Sequence, residues 1–156
     1  MVGLLKKMYA SVEIANEVYK EVVLKGMEQN SKDALIIKEH IDNKYIKVFN
    51  LNEKHTNTAN KIQLIYNLDI GEAETIALAL QLNKKELVID EIAAREAAKA
   101  FGINPIGSLR VLLNAHKNAL INKKEIKEII NEMENSKYRF SPKVLIEFWE
   151  LFEKIK

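Results

Sequence analysis

Apolar residues recur at helical spacing along most of the chain, and four short runs of strand character interrupt them. The densest pattern lies in residues 69–91, DIGEAETIALALQLNKKELVIDE. Ala73, Ile76, Ala77 and Leu80 fall at i, i+3, i+4 and i+7, one helical stripe. Leu78 and Leu82 add a second apolar flank, so this helix is expected to be buried on more than one side. After the polar link 83–86, Leu87, Val88 and Ile89 form a continuous apolar run. That run predicts a parallel strand covered on both faces, ending at Asp90.

The same reading extends to both sides. Residues 3–9 read as a helix end, and 11–15 (SVEIA) as an alternating strand. Asn16 is placed to cap a helix over 17–25, with Gly26 as its stop. A Ser-capped helix covers 31–40 and a strand 45–49; the polar segment 50–58 reads as a loop. A short helix over 59–66 turns Ile62 and Ile65 inward. Beyond Asp90 an alanine-rich helix runs over 91–100 and closes at Gly102. Residues 103–106 form a strand that Pro105 confines to an edge. Gly107-Ser108 opens a helix with Leu109, Val111, Leu112 and Leu113, another covers 123–134, and Ser141-Pro142 opens a last one carrying Leu145, Phe148, Trp149 and Phe152. These aromatics anchor that helix to the body or, where it docks poorly, offer a surface for self-association. The order of elements predicts an α/β sandwich with a mostly parallel sheet. One domain is expected over 1–156, with 123–156 as its helical appendix.

Composition narrows the class. The 156 residues are 47% apolar and 29% charged, as in an ordinary globular protein, and a net charge of +2 does not by itself argue for nucleic acid. Cysteine is absent, which excludes disulfides and thiolate metal sites. No apolar run approaches the ~20 residues of a membrane span, and no signal peptide is evident, so no membrane partner and a cytoplasmic location are expected.

Chemistry is best sought among the carboxylates. Glu21, Glu72 and Asp90 lie on three separate elements, each beside an apolar stretch that would hold it. Clustered carboxylates repel, and a hard cation such as Mg²⁺ or Mn²⁺ is their natural partner. Each has a plainer role as well. Glu72 follows Asp69 by three residues and fits a capping box. Glu21 shares a helical face with Glu17, and Asp90 can cap the helix after it. Glu74 lies about 160° around the helix from Glu72 and so faces elsewhere. Glu91 suits a first helical turn. Ser108 opens a helix whose N–H groups can face a phosphate, or it serves as an ordinary N-cap. Arg95 and Arg110 are candidates for a nucleic-acid backbone. His40, His55 and His116 show no ligand spacing.

The segments EVYKEVV (17–23), GEAETIALAL (71–80), LVIDEIAAREAAKAFGI (87–103), PIGSLRVLLNAHKNALI (105–121) and YRFSP with its helix (138–152) resemble the PIN-like nuclease family, in its short prokaryotic branch. GEAE with an aspartate eighteen residues after its first Glu is the most specific match. The resemblance implies a three-layer α/β/α sandwich with acids converging at the strand carboxyl ends. It implies a divalent-metal-dependent endoribonuclease acting on RNA, often the toxin of a toxin–antitoxin pair and hence with an antitoxin partner; a homodimer is also expected. By this likeness Glu21, Glu72 and Asp90 are the catalytic and metal-holding acids, Glu74 and Glu91 their alternates, and Ser108 the hydroxyl after the last strand. One departure follows from the same likeness. Family members start with a central strand ending in an aspartate, and Met1 falls where the next helix is already under way. The first acid has no counterpart here: either the chain as given is shortened, or another segment or a partner chain fills the strand's place. A non-catalytic module binding RNA or protein is the alternative.

Overall fold

The computed structural model describes residues 2–135 and 138–155. In chain order, α1 (Val2–Met8) leads to β1 (Val12–Ala15), α2 (Asn16–Tyr19), a π-helical stretch (Lys20–Lys25), α3 (Gly26–Glu28), α4 (Lys32–Asp42) and β2 (Ile46–Phe49). Then come α5 (Glu53–Tyr66), α6 (Ile70–Gln81), β3 (Glu86–Val88), α7 (Ile92–Ala100) and β4 (Asn104–Ile106). Helices α8 (Ser108–Lys117), α9 (Lys123–Asn135) and α10 (Pro142–Glu153) complete the chain.

Helix α6 sits where its apolar circumference requires. Ala73, Ile76, Ala77, Leu78 and Ala79 are all buried, and the small residues among them let α5 and α7 pack closely. Leu87, Ile89 and Ile103 join these helices in one core. A second core gathers Leu4 of α1 with Leu109, Leu112, Ile126, Phe148 and Phe152. The aromatics of α10 therefore anchor it to α8, as the sequence suggests. The architecture is α/β, with short parallel strands accompanied by two helical cores.

The strands do not form one sheet. β1 pairs with β2 in parallel, Val12 opposite Ile46 through Ala15 opposite Phe49. β3 pairs with β4 in parallel, Glu86 opposite Asn104 through Val88 opposite Ile106. Among the described residues no ladder joins the two pairs. Val88 is consequently 47% exposed, and the expectation that its strand is covered on both faces fails there.

Other boundaries shift for local reasons. The early helix does not stop at Gly26; it continues to Glu28, and Asn30 takes the positive φ that reverses the chain. Gly26 serves packing instead: a Cβ there would lie 2.8 Å from the Cβ of Ala34. Ala15, not Asn16, occupies the N-cap position of α2. The segment expected as a loop from 50 to 58 is helical from Glu53, because Asn52 Oδ1 accepts the His55 N–H at 3.0 Å and starts α5 early. Only one of the two isoleucines expected inward on this helix is so. Ile62 is fully buried, whereas Ile65 is 72% exposed, since Ala59, Ile62 and Tyr66 form the packed stripe.

The two isoleucines therefore separate in mutational cost. Ile62→Ala is expected to destabilise the chain by about 2–5 kcal/mol through cavity formation, and Ile65→Ala by no more than about 0.5 kcal/mol. Urea unfolding of the two variants checks the difference.

Candidate functional site

The starts of α6 and α7, the exit of β3 and the π-helical stretch carry the acids Glu72, Glu91, Asp90 and Glu21. Glu72 lies in the first turn of α6. The Asp69 N–H donates to Glu72 Oε2 at 3.2 Å, and the two residues form the capping box that their spacing predicts. Burial pushes the Glu72 carboxyl above the usual carboxylate range. The negative charges of Asp69, Glu91 and Glu21 push it the same way, against the lowering effect of the Asp69 N–H bond. Glu21, in the π-helical stretch, reaches this place because residue 71 has no side chain. A Cβ on Gly71 would lie only 3.3 Å from Glu21 Oε2. Glu91 is exposed at the start of α7 and also acts electrostatically on Tyr138.

Asp90 stands at the exit of β3 in a different set of bonds. The backbone N–H of Ser108 donates to its Oδ1 at 2.8 Å, and the Ser108 hydroxyl to its Oδ2 at 2.5 Å. The Tyr138 hydroxyl adds a further hydrogen bond. Burial, that bond and the charges of Asp90 and Glu91 together push the Tyr138 phenol well above its ordinary value. Asp90 thus does not cap α7, whose N-cap position belongs to Glu91. Nor is Ser108 an N-cap: Gly107 holds that position, and Ser108 is the first helical residue, with its hydroxyl spent on Asp90. A carboxylate at this helix start is favoured by the free N–H groups and the helix dipole. Gly107 is required by the closeness of the approach, since a Cβ there would lie 2.9 Å from Arg95 Nη1 and 3.0 Å from Asp90 Oδ1.

The remaining candidates divide. Glu74 accepts the Glu17 N–H at 3.2 Å, which places its carboxylate at the start of α2 and away from Glu72, as the helical period requires. Arg95 is half-buried, directs Nη1 to the Ile89 carbonyl at 3.4 Å and forms part of the cleft's wall. Arg110 is exposed. Glu72, Asp90, Glu91 and Arg110 line a cleft of about 910 Å³, with Tyr138 and Phe140 among its other walls. Tyr138 and Arg139 had no role in the sequence reading. Their signal was the YRFSP segment, which no periodicity links to Asp90 forty-eight residues earlier.

The donors suit a hard divalent cation in kind, all being carboxylate oxygens. Mg²⁺ keeps several waters and is commonly held through one or two carboxylates; Glu21 and Glu72 are neighbouring carboxylates of that kind. Among the described residues, however, no three acidic or imidazole side chains converge on one ligating point. Asp90 shares the cleft with Glu72 but is bonded to Ser108 and Tyr138.

The raised Glu72 pKa carries a sign. A carboxyl that holds its proton more tightly in the folded chain loses stability for that chain as pH rises from the ordinary value of 4.5 through the raised one. Glu72→Gln retains an acceptor for the capping bond and removes the charge. It is expected to match the wild type below that window and to exceed it in stability above it. Urea titrations on either side of the window check this; a variant that is less stable at neutral pH would contradict it.

No curated protein and no solved structure matches the chain. A family model described as a PIN domain matches residues 1–154. The match spans both half-sheets, the carboxylate rim and the tail that carries Tyr138, and on it this chain belongs to the PIN domain family.

Proposed function

We propose that the rim formed by Glu21, Glu72 and Asp90 is the reaction centre of a divalent-metal-dependent endoribonuclease. The observation that carries this reading is Glu72, held partly buried between the charges of Glu21 and Glu91 at the edge of a large cleft. Crowded negative charge of this kind disfavours the folded chain unless a cation or another positive group neutralises it. Glu21 and Glu72 would hold Mg²⁺ or Mn²⁺. When bound, such an ion lowers the pKa of water and stabilises charge on a phosphodiester.

The chain's own residues supply position and binding. Ser108 and Tyr138 fix the Asp90 carboxylate with donors to both of its oxygens, so its orientation is set before any substrate arrives. Arg110 is exposed along the same cleft and offers its guanidinium group to RNA phosphates; Arg139, also on that cleft, has its Nη1 bonded to the Glu134 and Tyr138 carbonyls. Tyr138 and Phe140, with ring centroids 4.7 Å apart, present aromatic surface to an unstacked base. The cleft lies between the strand exits and the tail, so single-stranded RNA fits it better than a duplex.

The absence of a three-acid ligand set among the described residues favours a second reading, an RNA-binding module that does not cleave. End-labelled single-stranded RNA incubated with Mg²⁺ or Mn²⁺ separates the two. On the first reading the wild type cleaves, Asp90→Asn does not, and Ser108→Ala loses about 10–100-fold in rate, as expected of a positioning residue. On the second, the wild type retains RNA in a filter assay and leaves it intact at every concentration of either ion.

A further inference from the structure

Helix α4 carries apolar residues on two sides. Ala34, Ile37 and Ile41 fall at i, i+3 and i+7; Ala34 is fully buried and the other two are half-buried. That side packs on the π-helical stretch, α3 and β2. A second stripe, Lys32, Leu35, Ile36 and Glu39, falls at i, i+3, i+4 and i+7. All four residues are exposed, Leu35 to 59% and Ile36 to 47%. A helix apolar on two sides has a second surface to bury. Lys32 and Glu39 enter no ion pair among the described residues, whereas Lys38 and Asp42 of the same helix pair with each other. The aromatics of α10, which the sequence offers for self-association, are already taken up. Phe148 and Phe152 are buried, and Trp149 packs against the same core.

The order of charges along the stripe decides what covers it. The midpoint between Lys32 and Glu39 is also the midpoint between Leu35 and Ile36. A two-fold axis through that point, perpendicular to the helix, lays a second α4 antiparallel on the first. Lys32 then meets Glu39 of the partner subunit at one end, and Glu39 meets the partner subunit's Lys32 at the other. Leu35 and Ile36 of both copies close the apolar centre. We propose that this stripe is the interface of a homodimer, with a second copy of the chain as its occupant. A parallel pairing sets lysine against lysine and glutamate against glutamate, which like-charge repulsion opposes. A partner with one sign of charge along its face satisfies only one end. The face is a single helix of 11 residues, so the dimer is weak and dependent on concentration.

The test is sedimentation equilibrium of the full chain from roughly 1 μM to 1 mM. The wild type is expected to pass from monomer to dimer within that range. Lys32→Glu and Glu39→Lys each set like charges against one another at both ends of the interface, and each is expected to weaken association by about tenfold or more. The first places an acid in the opening turn of α4 and the second a base in its last turn. The helix dipole favours both, so neither change weakens the helix itself. Mixed in equal amounts, the two variants are expected to form a heterodimer at least as tight as the wild-type dimer, because an all-acidic pair of ends meets an all-basic one. A wild type that stays monomeric throughout overturns the proposal, whatever else α4 binds. A dimer indifferent to both reversals overturns it too, since that dimer would lie on another face. A mixture no tighter than either variant alone also overturns it, since the antiparallel register would then be wrong. RNA and metal enter none of these readouts, so the outcome is independent of the proposed activity.

Discussion

The burial of α6 is the constraint on which the rest depends. A helix carrying Ala73, Ile76, Ala77 and Ala79 on its covered surface accepts neighbours on more than one side, and α5 and α7 occupy them. Alanines at the contacts keep the helices close and leave little side-chain entropy to lose. Because α6 cannot rotate without exposing that surface, its first turn is fixed as well. Gly71 and Glu72 are thereby held at the rim, one making space for Glu21 and the other carrying the charge that Glu21 and Glu91 repel. The functional candidate is thus an end effect of core packing.

Two kinds of carboxylate coexist at that rim. Asp90 is satisfied: an N–H, a serine hydroxyl and a tyrosine hydroxyl serve it, at a helix start whose dipole favours negative charge. Glu72 is frustrated: one backbone N–H helps it, while burial and three negative neighbours oppose its ionisation. Folding stability alone would remove the second arrangement, since a glutamine retains the capping bond without the charge. A destabilised acid beside a large cleft is what the proposed function rests on.

The divided sheet bears on the same rim. Each pair of strands is short, and an isolated two-stranded ribbon has little stability of its own. Here the helices hold both pairs: α6 contacts β1 and β3 alike, and α7 contacts β4. The two pairs are therefore kept in place without sharing hydrogen bonds. Glu21 comes after β1 of one pair and Asp90 after β3 of the other, so the spacing between the pairs also sets the spacing of the acids. Packing through α6, and not a continuous ladder, maintains it.

The sequence by itself determined the order of helices and strands, the buried character of α6, the Asp69–Glu72 capping box and the family. These are legible because they depend on spacing within a few residues, where period and capping chemistry act locally. It also determined that Glu72 and Glu74 diverge, since a helix fixes the angle between them. Only the tertiary structure decided that Ile62 is covered and Ile65 is not, because periodicity shows that a helix has faces but not which neighbour arrives at each. It decided that Ser108 and Tyr138 both serve Asp90, joining residues eighteen and forty-eight positions away. It decided as well that Val88, in an apolar run, lies half open at the cavity between the strand pairs. Burial and hydrogen-bond partnership are relations between distant segments, and a local pattern carries no record of the second segment.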